Sequence, residues 1–223
     1  MLHAQANRLA IVIPAYRPPD RLLDLARQLS QSFGQVVIVD DGSGADFREL
    51  FARASELPGV EILRHATNLG RGAATKTGIN YALCSFPDLI GLITAEPGAE
   101  PADIERVAQN LLAHPESIVQ PAADSVLHAL TGRDSQTGLR GIPEGFAPRV
   151  LQIEANGLEF DLELLLAARR SGVPVVEESI RTAPSQFNPL LESTKLYFLL
   201  PRFAAVALAT APVSYTHLPW CRT

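Results

Sequence analysis

The chain has 223 residues, of which 47% are hydrophobic and 19% charged, a composition that excludes a disordered chain and favours one globular domain. Its net charge is −5 and its sequence contains no basic stripe, so nucleic acid is not an expected partner. Cys84 and Cys221 are the two cysteines, and their wide separation fits neither a disulfide framework nor a zinc site. The first 14 residues lack the basic flank and long apolar core of a secretion signal, so we expect a cytoplasmic protein.

Strand and helix patterns alternate along the first half of the chain. Short apolar runs rich in β-branched residues predict strands at 9–13, 36–39, 60–63 and 89–94. Apolar residues at three- and four-residue spacing predict helices at 19–33, 46–57, 72–85 and 101–113. This alternation predicts an α/β fold with a largely parallel sheet flanked by helices.

The second half is less regular. After Pro115 the pattern weakens, then resumes with an acidic helix at 160–170 and a strand-like segment at 174–180. Residues 196–213 are strongly apolar but interrupted by Pro201 and Arg202, which favours an amphipathic or membrane-surface helix over a membrane span. Residues 213–223 change composition abruptly and resemble a translated adaptor, so we interpret them as a non-native or disordered tail.

Ligands of open parallel sheets bind beyond the carboxyl ends of the strands. Pro14 and Tyr16 follow the first predicted strand, and the tyrosine ring could stack on a nucleobase; an ordinary strand-ending turn is the alternative. Asp40, Asp41 and Ser43 follow the second strand, where a carboxylate could accept hydrogen bonds from a base edge or a ribose hydroxyl. A turn with a helix cap is the alternative there.

A glycine-rich segment with two cations opens the third predicted helix. Residues 68–78 read NLGRGAATKTG, and glycines with Arg71 and Lys76 at a helix start suit diphosphate oxygens. The segment follows the third strand and lacks the third glycine of a dinucleotide fingerprint, so a Rossmann dehydrogenase is not indicated.

In this order, the segments PAYRPPD, VVIVDDGSG, HATNLGRGAATKTGINYAL and DSQTGLRGIP resemble a family-2 glycosyltransferase of the GT-A fold. The resemblance covers residues 9–203 and is greatest to the bacterial branch similar to dolichyl-phosphate mannosyltransferases and other polyprenyl-phosphate glycosyltransferases. It implies one GT-A domain over residues 1–212, with a nucleotide-binding half at about 9–114 and an acceptor half at about 115–212. The nucleotide site would lie at the carboxyl ends of the strands.

The resemblance also implies roles for individual residues. The nucleotide-sugar side would comprise Pro14, Tyr16, Asp40, Asp41, Ser43, Arg71 and Lys76. The acceptor or phosphate side would comprise Thr137, Gly138 and Arg140, which match a TGxR motif, together with the acids Glu159 and Asp161. Of these, Arg140 and Glu159 are candidate catalytic residues; helix caps or solvated faces are the alternatives for this second group.

The sequence departs from the family pattern where the fourth strand ends. The family places an Asp-x-Asp motif there to hold a divalent cation, whereas this segment reads ITAEPGAE. Glu96 is the carboxylate nearest the expected place, and we take it as the candidate catalytic residue and ligand for Mg²⁺ or Mn²⁺. The segment 117–134 is shorter than its family counterpart, and Gln186 stands where a histidine is expected.

The resemblance implies transfer of a sugar from a UDP- or GDP-linked donor to a polyprenyl phosphate. That acceptor is already anionic at neutral pH and needs no strong base, and Arg140 would meet its phosphate. Residues 196–213 would contact the membrane face that presents the lipid. A catalytically degenerate GT-A domain that binds a nucleotide or a partner without transfer is the alternative. A nucleotidyltransferase is disfavoured because PAYRPPD is not a glycine-rich basic loop.

Overall fold

The computed structural model describes residues 6–122, 138–157 and 159–178. The strands are β1 Leu9–Ala15, β2 Val36–Asp40, β3 Val60–Arg64, β4 Gly91–Thr94, β5 Ile118–Pro121, β6 Arg140–Pro143 and β7 Val175–Glu178. The helices are α1 Leu22–Phe33, α2 Arg48–Ser55, α3 Arg71–Ser85, α4 Pro101–Ala113, α5 Ala147–Val150 and α6 Glu159–Arg170. Single 3-10 turns at Ala45–Phe47 and Glu144–Phe146 precede α2 and α5.

The strands form one sheet in the order β3-β2-β1-β4-β6-β5-β7. The pairs β1 with β2, β1 with β4, β2 with β3 and β5 with β7 are parallel, whereas β6 is antiparallel to β4 and β5. The predicted α/β fold with a mostly parallel sheet is therefore confirmed. Because β1, β2 and β4 are parallel neighbours, the residues that follow them meet at one edge of the sheet.

Helices cover both faces of the sheet, and β1 shows why. All seven of its residues are buried; Leu9, Ile11 and Ile13 point into one apolar cluster, and Ala10 and Val12 into the other. The first cluster includes apolar residues of α1, α2 and α4, and the second those of α3, α5 and α6. A strand buried on both faces reads as a continuous apolar run, which is the pattern from which this strand was predicted.

The predicted elements agree with the observed ones apart from their ends. The first helix begins at Leu22 instead of residue 19, and the fourth strand begins at Gly91 instead of residue 89. The second predicted helix divides into a 3-10 turn and α2. The acidic helix α6 and the following β7 are observed close to their predicted positions.

The predicted apolar segment 196–213 and the tail 213–223 lie outside the described residues. Within residues 6–122, 138–157 and 159–178, no helix is long and apolar enough to cross a membrane. The division into a nucleotide-binding half and an acceptor half stays a prediction.

Gly78 allows α3 to lie close against the sheet. A Cβ atom added there would be 2.4 Å from Cγ1 of Val12 and 3.2 Å from Cγ2 of Val39. Both valines are fully buried, so neither side chain has open space into which it can move.

We therefore expect Gly78→Ala to lower the free energy of unfolding by about 1–3 kcal/mol through overpacking. Urea denaturation followed by circular dichroism measures this change. Gly145→Ala is the matched control, because a Cβ added at Gly145 meets nothing within 4 Å. Equal stability of the two variants would contradict the close approach of α3 to the sheet.

Candidate functional site

A cleft of about 370 Å³ opens at the carboxyl ends of β1, β2 and β4. Several predicted site residues lie on its wall, and others join it from the loop before α3 and the segment before α6. The lining residues are Pro14, Ala15, Tyr16, Asp41, Asn68, Gly70, Arg71, Ala74, Glu96, Pro97 and Gly157. The structure thus brings Pro14, Tyr16, Asp41, Arg71 and Glu96 together.

The two adjacent aspartates after β2 have different partners. Asp40 Oδ1 accepts the backbone N–H of Ser43 at 2.8 Å, and its Oδ2 accepts from Arg64 Nε at 2.9 Å. Asp40 is buried and is not among the residues that line the cleft. Its carboxylate, paired with Arg64, therefore stabilises the turn that carries Ser43.

Asp41 lines the cleft and fastens the loop before α3 to the end of β2. Its Oδ1 accepts the backbone N–H of Leu69 at 2.9 Å and Nδ1–H of His65 at 2.7 Å. Its Oδ2 accepts the N–H of Gly70 at 2.9 Å. These three donors to one buried carboxylate hold the loop in place.

Two residues of this network were missed in the sequence. His65 Nε2 lies 2.9 Å from Oγ1 of Thr77, so the imidazole connects Asp41 to the second turn of α3. Both residues belong to the glycine-rich motif segment that begins at His65, but their contact depends on how the loop returns to the helix. That return could not be derived from the spacing of the residues.

Tyr16 is the exposed aromatic residue on the cleft wall, with 45% of its surface accessible. Arg17 follows it with a φ of 46°, in the left-handed region that a non-glycine residue seldom occupies. The backbone N–H of Arg17 donates to Oγ of Ser43 at 2.9 Å, which holds this conformation. The predicted site residue Ser43 thus supports the turn that presents the tyrosine ring.

Glycine is needed where the loop enters α3. Gly70 has a φ of 99°, and a Cβ there would lie 2.4 Å from the carbonyl oxygen of Asn156. That carbonyl accepts the N–H of Gly72 at 2.8 Å, which satisfies one of the free donors of the first helical turn. The N-terminus of α3, with its partial positive charge, opens onto the cleft at Gly70, Arg71 and Ala74.

Lys76 has a position different from that of Arg71. Its Nζ donates to the backbone carbonyls of Ile153 and Ala155, and it is not among the residues that line the cleft. The lysine therefore fastens the segment before α6 to α3. In this structure its ammonium group is not directed to the cleft as the sequence interpretation expected.

Two arginines share one carboxylate behind the cleft. Asp161 Oδ2 contacts Nη2 of Arg71, and its Oδ1 accepts from Nη1 of Arg140. Burial and the nearby Arg71 lower the pKa of Arg140 to about 9, so it stays protonated at neutral pH. Burial also lowers the pKa of Arg71, which the carboxylate of Glu96 opposes.

Glu96 lies at the cleft side of this cluster. Its Oε1 accepts from Nη1 of Arg71 at 3.4 Å and from the backbone N–H of Gly138 at 3.3 Å. The carbonyl of Gly138 in turn accepts from Oγ1 of Thr94 at 2.6 Å, which fixes this residue beside β4. Thr137, the first residue of the predicted TGxR motif, lies outside the described residues.

Glu159 lies in a second, open cleft of about 880 Å³ between α5 and α6. Its Oε1 accepts the backbone N–H of Gly157 at 3.3 Å, next to the start of α6. The structure therefore separates Glu159 from Asp161, although both acids belong to the first turn of the same helix. Asp161 joins the arginine cluster and Glu159 does not.

The described residues around Glu96 fit a guanidinium better than a divalent cation. At phosphate-binding sites Mg²⁺ is held by one or two carboxylates together with waters and substrate phosphates, so one free carboxylate could be enough. In the part of the chain that the structure describes, no group of three or more His, Cys, Asp or Glu residues could hold a metal ion. Glu96, the predicted ligand, instead accepts from a guanidinium and a backbone amide.

Comparison with solved structures identifies proteins with similar folds, all at low sequence identity. Glucosyl-3-phosphoglycerate synthase from Mycobacterium tuberculosis, in complex with Mn²⁺, UDP-glucose and phosphoglyceric acid, is 15% identical with a TM-score of 0.60; 92% of this chain and 81% of that chain are covered. S. aureus TarS 1–349 in complex with UDP-GlcNAc is 12% identical with a TM-score of 0.53, and the match covers 91% of this chain and 73% of that chain. A 4-diphosphocytidyl-2C-methyl-D-erythritol synthase is 13% identical with a TM-score of 0.54, and the match covers 86% of this chain and 98% of that chain.

The sequence comparisons give a more specific result. No curated protein matches the chain. The profile of glycosyl transferase family 2 matches residues 10–158, which is more than half of the chain and includes every residue that lines the cleft. The chain therefore belongs to glycosyl transferase family 2.

Proposed function

We propose that this protein transfers a sugar from a UDP- or GDP-linked donor to a polyprenyl phosphate. The observation that carries the proposal is the cleft in which Tyr16, Asp41 and Arg71 meet at the strand ends of a family-2 domain. An aromatic ring, a carboxylate and a guanidinium suit the base, the ribose and the diphosphate of such a donor. Structures of two proteins with similar folds contain UDP-glucose and UDP-GlcNAc, which supports a nucleotide sugar as the ligand.

The contacts suggest a separate role for each predicted residue of the donor side. Tyr16 would stack on the base, because its ring is exposed on the cleft wall. Asp41 would receive a ribose hydroxyl or base donor, whereas Asp40 and Ser43 would act as positioning residues for the turn beneath it. Arg71 would meet the diphosphate at the N-terminus of α3.

The proposed reaction is a displacement at the anomeric carbon. An oxygen of the acceptor phosphate attacks that carbon, and the bond from the carbon to the diphosphate oxygen breaks. The nucleoside diphosphate leaves with an additional negative charge, which Arg71 and the helix N-terminus are placed to stabilise. A phosphate monoester is already ionised at neutral pH, so this attack needs no general base.

The contacts of Arg140, Glu159 and Gly138 suggest roles for the residues of the acceptor side. Arg140 is nearly fully buried and paired with Asp161, so we propose that it holds this carboxylate and supports Arg71 from behind. Glu159 lines the second cleft with Arg149 and Arg170, and this cleft is our candidate for the acceptor phosphate. Gly138, which approaches Nη1 of Arg71, would position the backbone that leads to Arg140.

A specific observation favours the alternative of a degenerate, nucleotide-binding domain. Glu96 is the carboxylate at the end of β4, and its described contacts are with Arg71 and Gly138. A domain with this arrangement could bind a donor and leave its sugar bond intact. Turnover distinguishes the two functions, since binding alone is common to both.

Incubation with UDP-glucose or GDP-mannose and a short-chain polyprenyl phosphate tests the proposal directly. We expect the melting temperature to rise with one of these donors, because a ligand that binds only the folded state stabilises it. We also expect glycolipid and free nucleoside diphosphate to form in equal amounts, measured by mass spectrometry. Stabilisation without product would support the degenerate alternative, and no stabilisation by either donor would contradict nucleotide-sugar binding.

Substitution of Tyr16 tests the stacking role. Tyr16→Ala should weaken binding of the stabilising donor by about 1–3 kcal/mol, the range seen when a stacked aromatic ring is removed from a base. Tyr16→Phe is the matched control and should retain most of the affinity, because it keeps the ring and removes the hydroxyl. Calorimetric titration measures both. Equal affinity of the alanine variant and the unsubstituted protein would show that the ring does not contact the base.

Vesicle binding tests the proposed contact through residues 196–213, which would bring a cytoplasmic protein to the inner membrane face. We expect the full chain to co-sediment with phospholipid vesicles and Phe203→Glu to reduce the bound fraction, since a charge opposes insertion of an apolar segment. Val175→Glu is the control, because Val175 is an exposed apolar residue of β7 outside that segment. An equal loss in both variants, or no binding of the full chain, would contradict this contact.

A further inference from the structure

We propose that the guanidinium of Arg71 takes the place of a divalent cation in this cleft, so that the nucleotide diphosphate binds without metal. The inference rests on the proposed function, because it concerns the diphosphate of the same donor. It follows from three features of the described residues: what Glu96 contacts, where Arg71 lies, and how Arg140 and Asp161 balance its charge.

Glu96, the predicted metal ligand, contacts an arginine where a metal ion was expected. Its Oε1 lies 3.4 Å from Nη1 of Arg71 and 3.3 Å from the N–H of Gly138. A cation coordinated at this oxygen would stand next to the positive guanidinium and would be repelled by it. The donor set of the cleft therefore favours the arginine over the ion.

The backbone around Glu96 is fitted to the guanidinium. A Cβ added at Gly138 would lie 2.8 Å from Nη1 of Arg71 and 3.4 Å from Cγ of Glu96. Thr94 holds the carbonyl of the same glycine at 2.6 Å, so this backbone cannot easily withdraw. Gly138, which precedes β6, thus leaves room for a guanidinium beside Glu96, which follows β4.

Arg71 is also placed to meet an anion. It is the first residue of a 15-residue helix, and both its side chain and the helix N-terminus reach the cleft. Its side chain keeps 21% of its surface accessible although Nε is buried, so a phosphate oxygen in the cleft would approach it from the exposed side.

Arg140 lessens the degree to which Asp161 compensates the charge of Arg71. Asp161 alone would cancel the charge of Arg71, since its carboxylate contacts that guanidinium directly. Arg140 contacts the other oxygen of Asp161 from the buried side and keeps its own charge at neutral pH. With Arg140 paired to Asp161, the carboxylate that still opposes the charge of Arg71 in this cluster is Glu96, at the longer distance of 3.4 Å, and the diphosphate would compete with it for the guanidinium.

Calorimetric titration of the full chain with UDP and with GDP, each in EDTA and in Mn²⁺, tests the inference. We expect one of the two nucleotides to bind with affinities that agree within about twofold in the two buffers. Binding that requires Mn²⁺ would overturn the inference and leave the proposed function standing. No binding of either nucleotide in either buffer would overturn both.

Matched variants separate the arginine from the carboxylate. Arg71→Gln should weaken metal-free binding about 30-fold or more, as expected when one partner of a desolvated charge pair is removed. Glu96→Gln should retain most of the affinity, because an amide oxygen can still accept from Gly138 and Arg71. Arg27→Gln is the charge-matched control, because Arg27 pairs with Asp24 on the exposed surface of α1.

The opposite pattern, in which Glu96→Gln abolishes binding and Arg71→Gln does not, would assign the site to a metal ion and overturn the inference. Thermal denaturation of each variant shows whether it is folded. If Arg71→Gln does not fold, the comparison of EDTA with Mn²⁺ on the unsubstituted chain still decides whether nucleotide binding requires a metal ion.

Discussion

The cleft depends on a carboxylate shared by two buried guanidinium groups. Asp161, from the first turn of α6, contacts Arg71 at the start of α3 and Arg140 at the start of β6. Each buried ion would cost several kcal/mol if it were left unpaired. Asp161 meets this requirement for both arginines at once, and Glu96 makes the cluster neutral overall. Three elements distant in sequence are thereby fixed around one wall of the cleft.

Asp41 fixes another part of the cleft by the same principle. It receives the N–H groups of Leu69 and Gly70 and the imidazole of His65, so the loop before α3 is bonded to the end of β2. Asp40, its neighbour, is neutralised separately by Arg64. Different partners for the two carboxylates reduce the repulsion that their adjacency in sequence implies. Much of the charged motif is therefore structural, and Tyr16 and Arg71 remain as the groups most available to a ligand.

The sequence predicted the fold better than it predicted the roles of the site residues. The strand at 9–13 could be found because a strand buried on both faces is a continuous β-branched run. The position of Lys76 could have been predicted better from the sequence. Arg71 and Lys76 are five residues apart, which separates them by about 140° around a helix, so they could not share one face. Helical periodicity alone argued against placing both at the same diphosphate.

Other contacts could not have been derived from spacing. Asp161 joins Arg71 and Arg140 across 90 and 21 residues of sequence, and no local pattern distinguishes it from Glu159 in the same helical turn. Which of the two acids meets the arginines depends on the angle at which α6 packs against α3. Phe160 of α6 packs closely on Gly72 of α3, where an added Cβ would lie 2.8 Å from Cγ of the ring. The site is thus decided by close packing that a one-dimensional pattern does not record.

The charge available to a diphosphate shows how such a cleft could operate without a metal. Two unit charges 4 Å apart interact with about 4 kcal/mol at an effective dielectric constant of about 20, so a divalent ion supplies about twice what one guanidinium does. The N-terminus of a long helix adds the equivalent of about half an elementary charge with either cation. Arg71 in place of the ion therefore leaves the cleft about one positive charge short. This shortfall matters most at the leaving group, where negative charge grows as the sugar bond breaks. Binding of the donor is thus expected to suffer less than the rate of transfer, and a family-2 domain of this kind can keep its ligand even where its chemistry is slow.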